Sequence, residues 1–436
     1  MKEVRCMNIY AQSLKHKLLS LIDEMEHKYL DAFVREPGKD FTRNRKFPFS
    51  SVIRFVLSMG SSALGQEILE YFQYEPGFPS ASAFIQQRQK IMPEAFSWLF
   101  HEFLQASRDA PRLFEGFQLI AVDGTDIVYP LNAAEPNAFP SMKCSMLHLN
   151  AFFDVMNKQY IDAAVGEDET AAACTMADRL PEFRPVIVVA DRGYESYNFF
   201  AHIEERLFDY VVRLRNSGHN CIAAGMGLPA AEEFDVTKDV VITRNSTGPF
   251  AVNPRKYKYI SGRARFDFIP DSRLPDYEMT IRFVRFRLDS GELELLATSL
   301  PADRFPAGRL KELYHLRWGI ETSFRELKHV LGLAAFHTKK ADCIVQEIYA
   351  RLIMYNFSML VAGRIPVPGK ERRHGCLVNF SQTIRICMAF FRLRNNSPPF
   401  DLETILPRFL LPERKGRAYT RTVYPQGAKA FNYRLT

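Results

Sequence analysis

Apolar residues recur at helical spacing through the first hundred positions of the chain. Leu14, Leu18, Leu19, Leu21, Ile22 and Met25 line one face of a helix over 10–35, and the same period predicts helices over 49–60, 63–73 and 80–107. Glu75-Pro-Gly-Phe-Pro79 interrupts the pattern before the last of these, and Ser80 or Ser82 can cap the helix that follows. Its opening turns carry Ser, Gln and Arg up to Lys90, which fits either a helix that reads DNA or an ordinary surface helix.

From about residue 116 the period shortens to that of strands. Phe117–Val122 is an apolar run that stops at Asp123-Gly-Thr, and Met146–Phe153 and Gln159–Val165 are two more strands around a turn at Asn157-Lys158. A helix over 169–181 leads into Pro185–Ala190, a β-branched run of the fully buried kind that ends at Asp191-Arg-Gly-Tyr194. A helix over 196–207 and a strand over Asp209–Leu214 complete a β-β-β-α-β-α-β order, which predicts an α/β fold with a mixed sheet flanked by helices. Residues 216–306 are predicted β-rich, with strands at Val240–Thr243 and Lys256–Ser261 and a hairpin of Tyr277–Leu288 and Glu292–Leu300 turned by Asp289-Ser-Gly291. Helices return over 308–332, 341–363 and 377–392.

Composition narrows the class. The 436 residues are 47% hydrophobic and 25% charged, which suits a globular chain of two or three domains and excludes disorder and fibrous repeats. No apolar h-region follows Met1 and no stretch reaches the ~18 apolar residues of a membrane span, so a soluble, cytoplasmic protein with no membrane partner is expected. The seven cysteines are scattered without a C-x-x-C pair and are expected to be free thiols. The net charge of +7 hides a division, because residues 301–436 carry 23 Lys and Arg against 10 Asp and Glu while the first 300 are net acidic. A basic C-terminal portion fits a polyanion partner, nucleic acid being the commonest, or a solvated basic face.

Asp123 and Asp191 each follow a predicted strand and precede turn residues. A side chain at the carboxyl end of a buried strand projects from a rigid support into the crevice where open α/β sheets bind ligands. Taken singly, either Asp is also a common turn former. A third carboxylate lies in Tyr314-His-Leu-Arg317-Trp-Gly-Ile-Glu321-Thr-Ser-Phe-Arg-Glu-Leu-Lys328. At about 100° per residue, Tyr314, Arg317, Glu321 and Lys328 fall in a stripe ~60° wide, beside an apolar face of Leu313, Leu316, Ile320, Phe324, Leu327 and Leu331. Such a helix can pack on a sheet and present one carboxylate between two cations and a phenol. An amphipathic helix with intrahelical ion pairs is the plainer reading.

The spacing Y-x2-R-x3-E-x6-K, filled by Tyr314, Arg317, Glu321 and Lys328, resembles the Y-R-E-K signature of DDE transposases of bacterial insertion sequences, insertion sequence family four. Asp123 in Val-Asp-Gly-Thr and Asp191 in Ala-Asp-Arg-Gly-Tyr resemble that family's first and second aspartate motifs. The resemblance spans residues 80–335, takes in Ser82–Arg88, and is loose in the tail. It implies a ribonuclease-H-like (retroviral-integrase-like) catalytic core in which Asp123, Asp191 and Glu321 are catalytic and bind two divalent ions, Mg²⁺ with Mn²⁺ able to substitute. Carboxylate oxygens suit such hard cations, and an ion pair of this kind serves in-line displacement at phosphorus. It further implies that Tyr314, Arg317, Lys328 and Arg192 contact DNA phosphates. His101-Glu lacks the second His of a zinc-protease motif and there is no G-x-x-x-x-G-K-[ST] loop, so the reaction is expected to run on exchange of phosphodiester bonds without ATP.

The implied organisation is a helical N-terminal DNA-binding region over 1–112, a first part of the core over 113–215, a β-rich insertion over 216–306, a second part of the core over 307–365 and a basic helical region over 366–436. Relatives that cleave through a DNA hairpin hold a flipped base on a Trp of the insertion. Trp98 and Trp318 both lie outside it here, and Phe250, Tyr257 and Tyr259 read either as stacking substitutes or as strand residues, which leaves the cleavage route open. The expected activity is that of a transposase at the bacterial nucleoid. It would bind double-stranded terminal inverted repeats, nick them and join the 3′-OH ends to target DNA, as a dimer in the synaptic complex. A non-catalytic DNA-binding descendant and a metal-dependent nuclease are the alternatives.

Overall fold

The computed structural model describes residues 6–43, 45–181, 184–215, 221–269, 275–333, 335–366, 376–393 and 401–412. The basic tail from 413 onward, and with it most of the region read over 366–436, lies outside these residues.

The chain opens with helices α1 (Cys6–Lys28), α2 (Leu30–Phe33), α3 (Phe49–Ser58), α4 (Leu64–Tyr71), α5 (Ala81–Arg88) and α6 (Glu94–Ala106). Ser80 caps α5, its hydroxyl accepting from Ala83 N at 3.2 Å. The single helix expected over 80–107 is two, because Pro93 has no amide to donate and instead stands as the N-cap of α6. Next come β1 (Gln118–Pro130), β2 (Ala138–Phe139), β3 (Cys144–Asp154), β4 (Gln159–Val165), α7 (Glu169–Arg179), β5 (Val186–Ala190), α8 (Tyr197–Glu205) and β6 (Asp209–Arg213). The segment read as an insertion supplies β7 (Phe234–Thr243), α9 (Pro249–Val252), β8 (Tyr257–Tyr259), β9 (Tyr277–Arg287) and β10 (Leu293–Thr298). The chain returns to helix in α10 (Ala307–Leu316), α11 (Trp318–His329), α12 (Ala341–Ala362), α13 (Phe380–Arg392) and α14 (Leu402–Ile405).

These strands form one sheet in the order β2-β3-β1-β5-β6-β10-β9-β7-β8, with β4 on β3. β5 runs parallel to both neighbours, in register Val122↔Ala190 with β1 and Ala190↔Val212 with β6. The order β4-β3-β1-β5-β6 with three parallel central strands is the ribonuclease-H-like core. The strands of the insertion extend this sheet rather than building another. β10 pairs antiparallel with β6 at Ala297↔Val212, β9 pairs with β10, and β7 with β9. β1 also departs from the expectation that its run stops at Asp123, since it continues to Pro130 after its pairing with β5 has ended.

The chain divides into two compact units, one of Met1–Ala110, Asp126–Leu147 and Ser323–Thr436, the other of Pro111–Thr125 and His148–Thr322. In the first, α12 is buried along nearly its whole length, as a helix apolar on every side must be, and α1, α3, α6 and α13 pack on it. No helix among the described residues is long and apolar enough to cross a membrane. Arg88, in the helix read as a possible DNA reader, is 3% exposed and bonds to Gln346 at 2.8 Å and Glu347 at 2.9 Å. It therefore anchors α5 to α12, and its guanidinium is not on the surface of the helix.

In the second unit the strands alternate as the pleat requires. Ile120, Val122, Val188, Ala190, Tyr210 and Val212 pack with the apolar side chains of α7 and α8, while Leu119, Ile187, Val189 and Val211 pack with Phe305, Leu310, Leu313 and Tyr314 on the other face. Cys144, Cys174, Cys221, Cys343, Cys376 and Cys387 are free thiols, as their spacing predicts.

Candidate active site

β1 and β5 are adjacent and parallel, and their pairing ends at Val122↔Ala190. Asp123 and Asp191 are the next residue on each strand, so the topology sets two carboxylates side by side. Asp123 accepts from Gly124 N at 2.9 Å, and Asp191 accepts from Gly193 N at 2.7 Å at the head of the short turn Arg192–Tyr194. The turn-forming and ligand readings of these residues are thus compatible in one geometry.

The helix expected over 308–332 is two helices that meet at Arg317. Arg317 N bonds to Tyr314 O at 3.1 Å, the tighter three-residue spacing, and the joint breaks the regular angular stripe. Arg317 is 5% exposed. Its Nη2 donates to Glu321 Oε1 at 2.7 Å and its Nη1 stands 3.9 Å from Asp123 Oδ2. The rings of Tyr314 and Trp318 flank the guanidinium at 5.7 and 5.4 Å. Gly319 lets α11 approach the sheet, since a Cβ there would stand 3.3 Å from Val155 Cγ1.

Two expected DNA contacts are placed differently. Arg317 is turned inward, where it offsets the charge of Glu321 and Asp123, and Tyr314 is a core residue whose buried hydroxyl has no hydrogen-bond partner. The apolar face explains the second, because Tyr314 follows Leu313 and Leu310 into the same cluster. Arg192 is exposed. Lys328 is half-buried and belongs to the helical unit, the division falling within α11 after Thr322.

Burial pushes the Asp123 carboxyl up to about 7; Arg317 works against that shift, and repulsion from Asp191 and Glu321 adds to it. Burial disfavours the Arg317 charge as well, but Tyr314, Glu321 and Asp123 outweigh it and raise its pKa. The donor set is carboxylate oxygen throughout, which fits a hard divalent cation. Among the described residues no three His, Cys, Asp or Glu side chains are gathered closely enough to share an ion, and Arg317 stands as the cation between Glu321 and Asp123.

Sequence reasoning did not single out Glu169 or His148, yet both converge on the backbone of Gly124. The only signal in the chain is Asp168-Glu169 opening an Ala-rich helix between the two aspartate motifs, and on its own it reads as a helix start.

The family described as Transposase DDE domain matches residues 115–357. Transposase InsG for insertion sequence element IS4 of Escherichia coli (strain K12) is 23% identical over 448 residues, covering 94% of this chain and 93% of that protein. The transposase for insertion sequence element IS421 of Escherichia coli is 25% identical over 345 residues, covering 74% and 88%. Among solved structures, the chain is similar to piggyBac transposase in a cryo-EM synaptic complex with hairpin DNA, with a TM-score of 0.48 and 11% identity over 95% of this chain and 88% of that one.

Proposed function

The chain belongs to the DDE transposase family, and from that premise we propose that Asp123, Asp191 and Glu321 are the carboxylates at which it cuts and joins DNA. The observation that carries this is the adjacency of Asp123 and Asp191 at the end of paired strands, with Glu321 in the same field through Arg317. When bound there, two divalent ions, Mg²⁺ or Mn²⁺ in its place, would activate the attacking oxygen and stabilise the leaving one. Asp123 and Asp191 would hold the cations from two rigid strand ends, and Glu321 would complete the carboxylate set from α11. Arg317 fixes the Glu321 rotamer and limits repulsion before the cations arrive. The burial of Arg317 and the low exposure of Asp123 strengthen the attraction between them relative to water.

The substrate is duplex DNA carrying the element's own terminal inverted repeats, joined to target DNA by a dimer in the synaptic complex, at the nucleoid and without ATP. A labelled duplex with one such end, incubated with purified protein and Mg²⁺, is expected to be nicked and then joined to plasmid. Hydrolysis without joining would instead mark a nuclease, and binding without cleavage a non-catalytic descendant. Arg192→Ala and Lys328→Ala are each expected to weaken end binding and to lower the log–log salt slope by about 0.9, the change for one lost phosphate contact. Arg317→Ala should leave that slope unaltered, since its guanidinium serves the carboxylates. Filter-binding isotherms at several salt concentrations check all three, and an unaltered slope removes Arg192 or Lys328 from the DNA contacts.

A further inference from the structure

The two aspartate motifs share a neighbour. Glu169 is the first residue of α7, whose N-cap Asp168 accepts from Ala171 N at 3.1 Å, and the helix dipole favours an anion at that position. Its carboxylate reaches between the glycines of both motifs. A Cβ at Gly124 would stand 2.9 Å from Glu169 Oε1, and one at Gly193 would stand 3.5 Å from Glu169 Oε2 and 3.0 Å from Asp191 Oδ1. Neither glycine has a positive φ, so space rather than backbone conformation favours them: His148 and Glu169 fill it at Gly124, and at Gly193 Asp191 crowds it while Glu169 stands at ordinary contact distance.

Tyr194 supplies a second and independent observation. Its side chain is fully buried and its hydroxyl meets Glu169 without a hydrogen bond of good geometry; burial, with Glu169, Asp123 and Asp191 nearby, holds its pKa well above the ordinary value. A buried hydroxyl that meets a carboxylate without a well-formed hydrogen bond points to a group that arrives with its own donor or acceptor, as the water of a bound cation does. Charge leads the same way. Arg317 already offsets one of the three carboxylates, so the triad alone faces two divalent ions with little net negative charge.

We propose that Glu169 is a fourth catalytic carboxylate, holding the ion on the Asp191 side directly or through a water that also bonds to the Tyr194 hydroxyl. This rests on the carboxylate site proposed above. Calorimetric titration of Mn²⁺ into the full-length protein tests it. Glu169→Gln is expected to weaken one of two Mn²⁺ sites by about 10–100-fold, with the metal-free melting temperature unaltered. An isotherm equal to the wild type overturns the proposal. If Glu169→Gln does not fold, the wild type itself decides. Fe²⁺ in place of Mg²⁺, with ascorbate and peroxide, should cut the backbone near residue 169 as well as near 123 and 191, and cuts at the latter two alone would overturn it. Asp123→Asn separates the two levels: loss of Mn²⁺ in that variant but not in Glu169→Gln sinks only the role of Glu169, whereas no loss in either sinks the carboxylate site.

Discussion

Asp123→Asn and Glu321→Gln are each expected to lower single-turnover cleavage of end DNA by about 10³-fold or more, because the cations they are proposed to hold would contribute several kcal/mol at the transition state. Both changes are nearly isosteric. Asn at 123 can still accept from Gly124 N, so the strand end keeps its shape and only the charge is lost. Gln at 321 can still accept from Arg317, but it removes the carboxylate paired directly with the guanidinium, which is 5% exposed and keeps Asp123 and Glu294 in its field. End binding should survive in both variants, since neither carboxylate meets DNA without a cation between. A rapid-quench cleavage assay beside a binding assay checks the pair, and cleavage within tenfold of the wild type would remove the residue from the centre.

The largest effect on stability is expected from Glu347→Ala in the helical unit. Glu347 is 1% exposed, accepts from Arg88 Nη1 at 2.9 Å, and lies 3.3 Å from both the amide and the ring of His337. Truncating it leaves the Arg88 guanidinium buried without its counter-charge, a loss of about 3–5 kcal/mol. Glu347→Gln keeps the shape and should fall between. Burial alone would raise the Glu347 pKa, but His337 and Arg88 outweigh it and hold the carboxyl well below the usual range. A depressed carboxylate stabilises the fold fully above its unfolded value, about pH 4.3 for Glu, and that stabilisation fades as the pH falls further. Urea unfolding of wild type and variant at pH 7 and at lower pH checks both statements. A loss under ~1 kcal/mol at pH 7 would contradict the buried pair.

Period and breakers located the long helices and most of the strands, because amphipathic spacing is a local property, but short elements such as Ala138–Phe139, Pro249–Val252 and Leu402–Ile405 carry too few positions to show a period. What they could not supply is pairing. The strands at Tyr277–Arg287 and Leu293–Thr298 are plain in the sequence, but only the folded sheet joins β10 to β6 and so makes the insertion part of the core sheet. Asp123 and Asp191 were legible because each closes an apolar run, and the register of β1 with β5 brings them together. The angular stripe on the third motif puts Tyr314, Arg317 and Glu321 on one exposed face, whereas the structure buries Tyr314 and Arg317 and leaves Glu321 paired with Arg317. A single ruler cannot register the joint at Arg317, nor that a phenol beside Leu313 is drawn into the core. Glu169 is invisible in the sequence because its meaning depends on the two aspartate motifs, whose glycines lie 45 residues before it and 24 after it and which only the fold brings beside its carboxylate.

The most direct measurement supplies the protein, with Mg²⁺ and a target plasmid, with an already nicked transposon end bearing either a 3′-OH or a 3′-deoxy terminus. Joining of the 3′-OH end alone, lost in Asp191→Asn, is the predicted result. Joining by Asp191→Asn at the wild-type rate, or plasmid nicking with no joined end, would contradict phosphodiester transfer at these carboxylates.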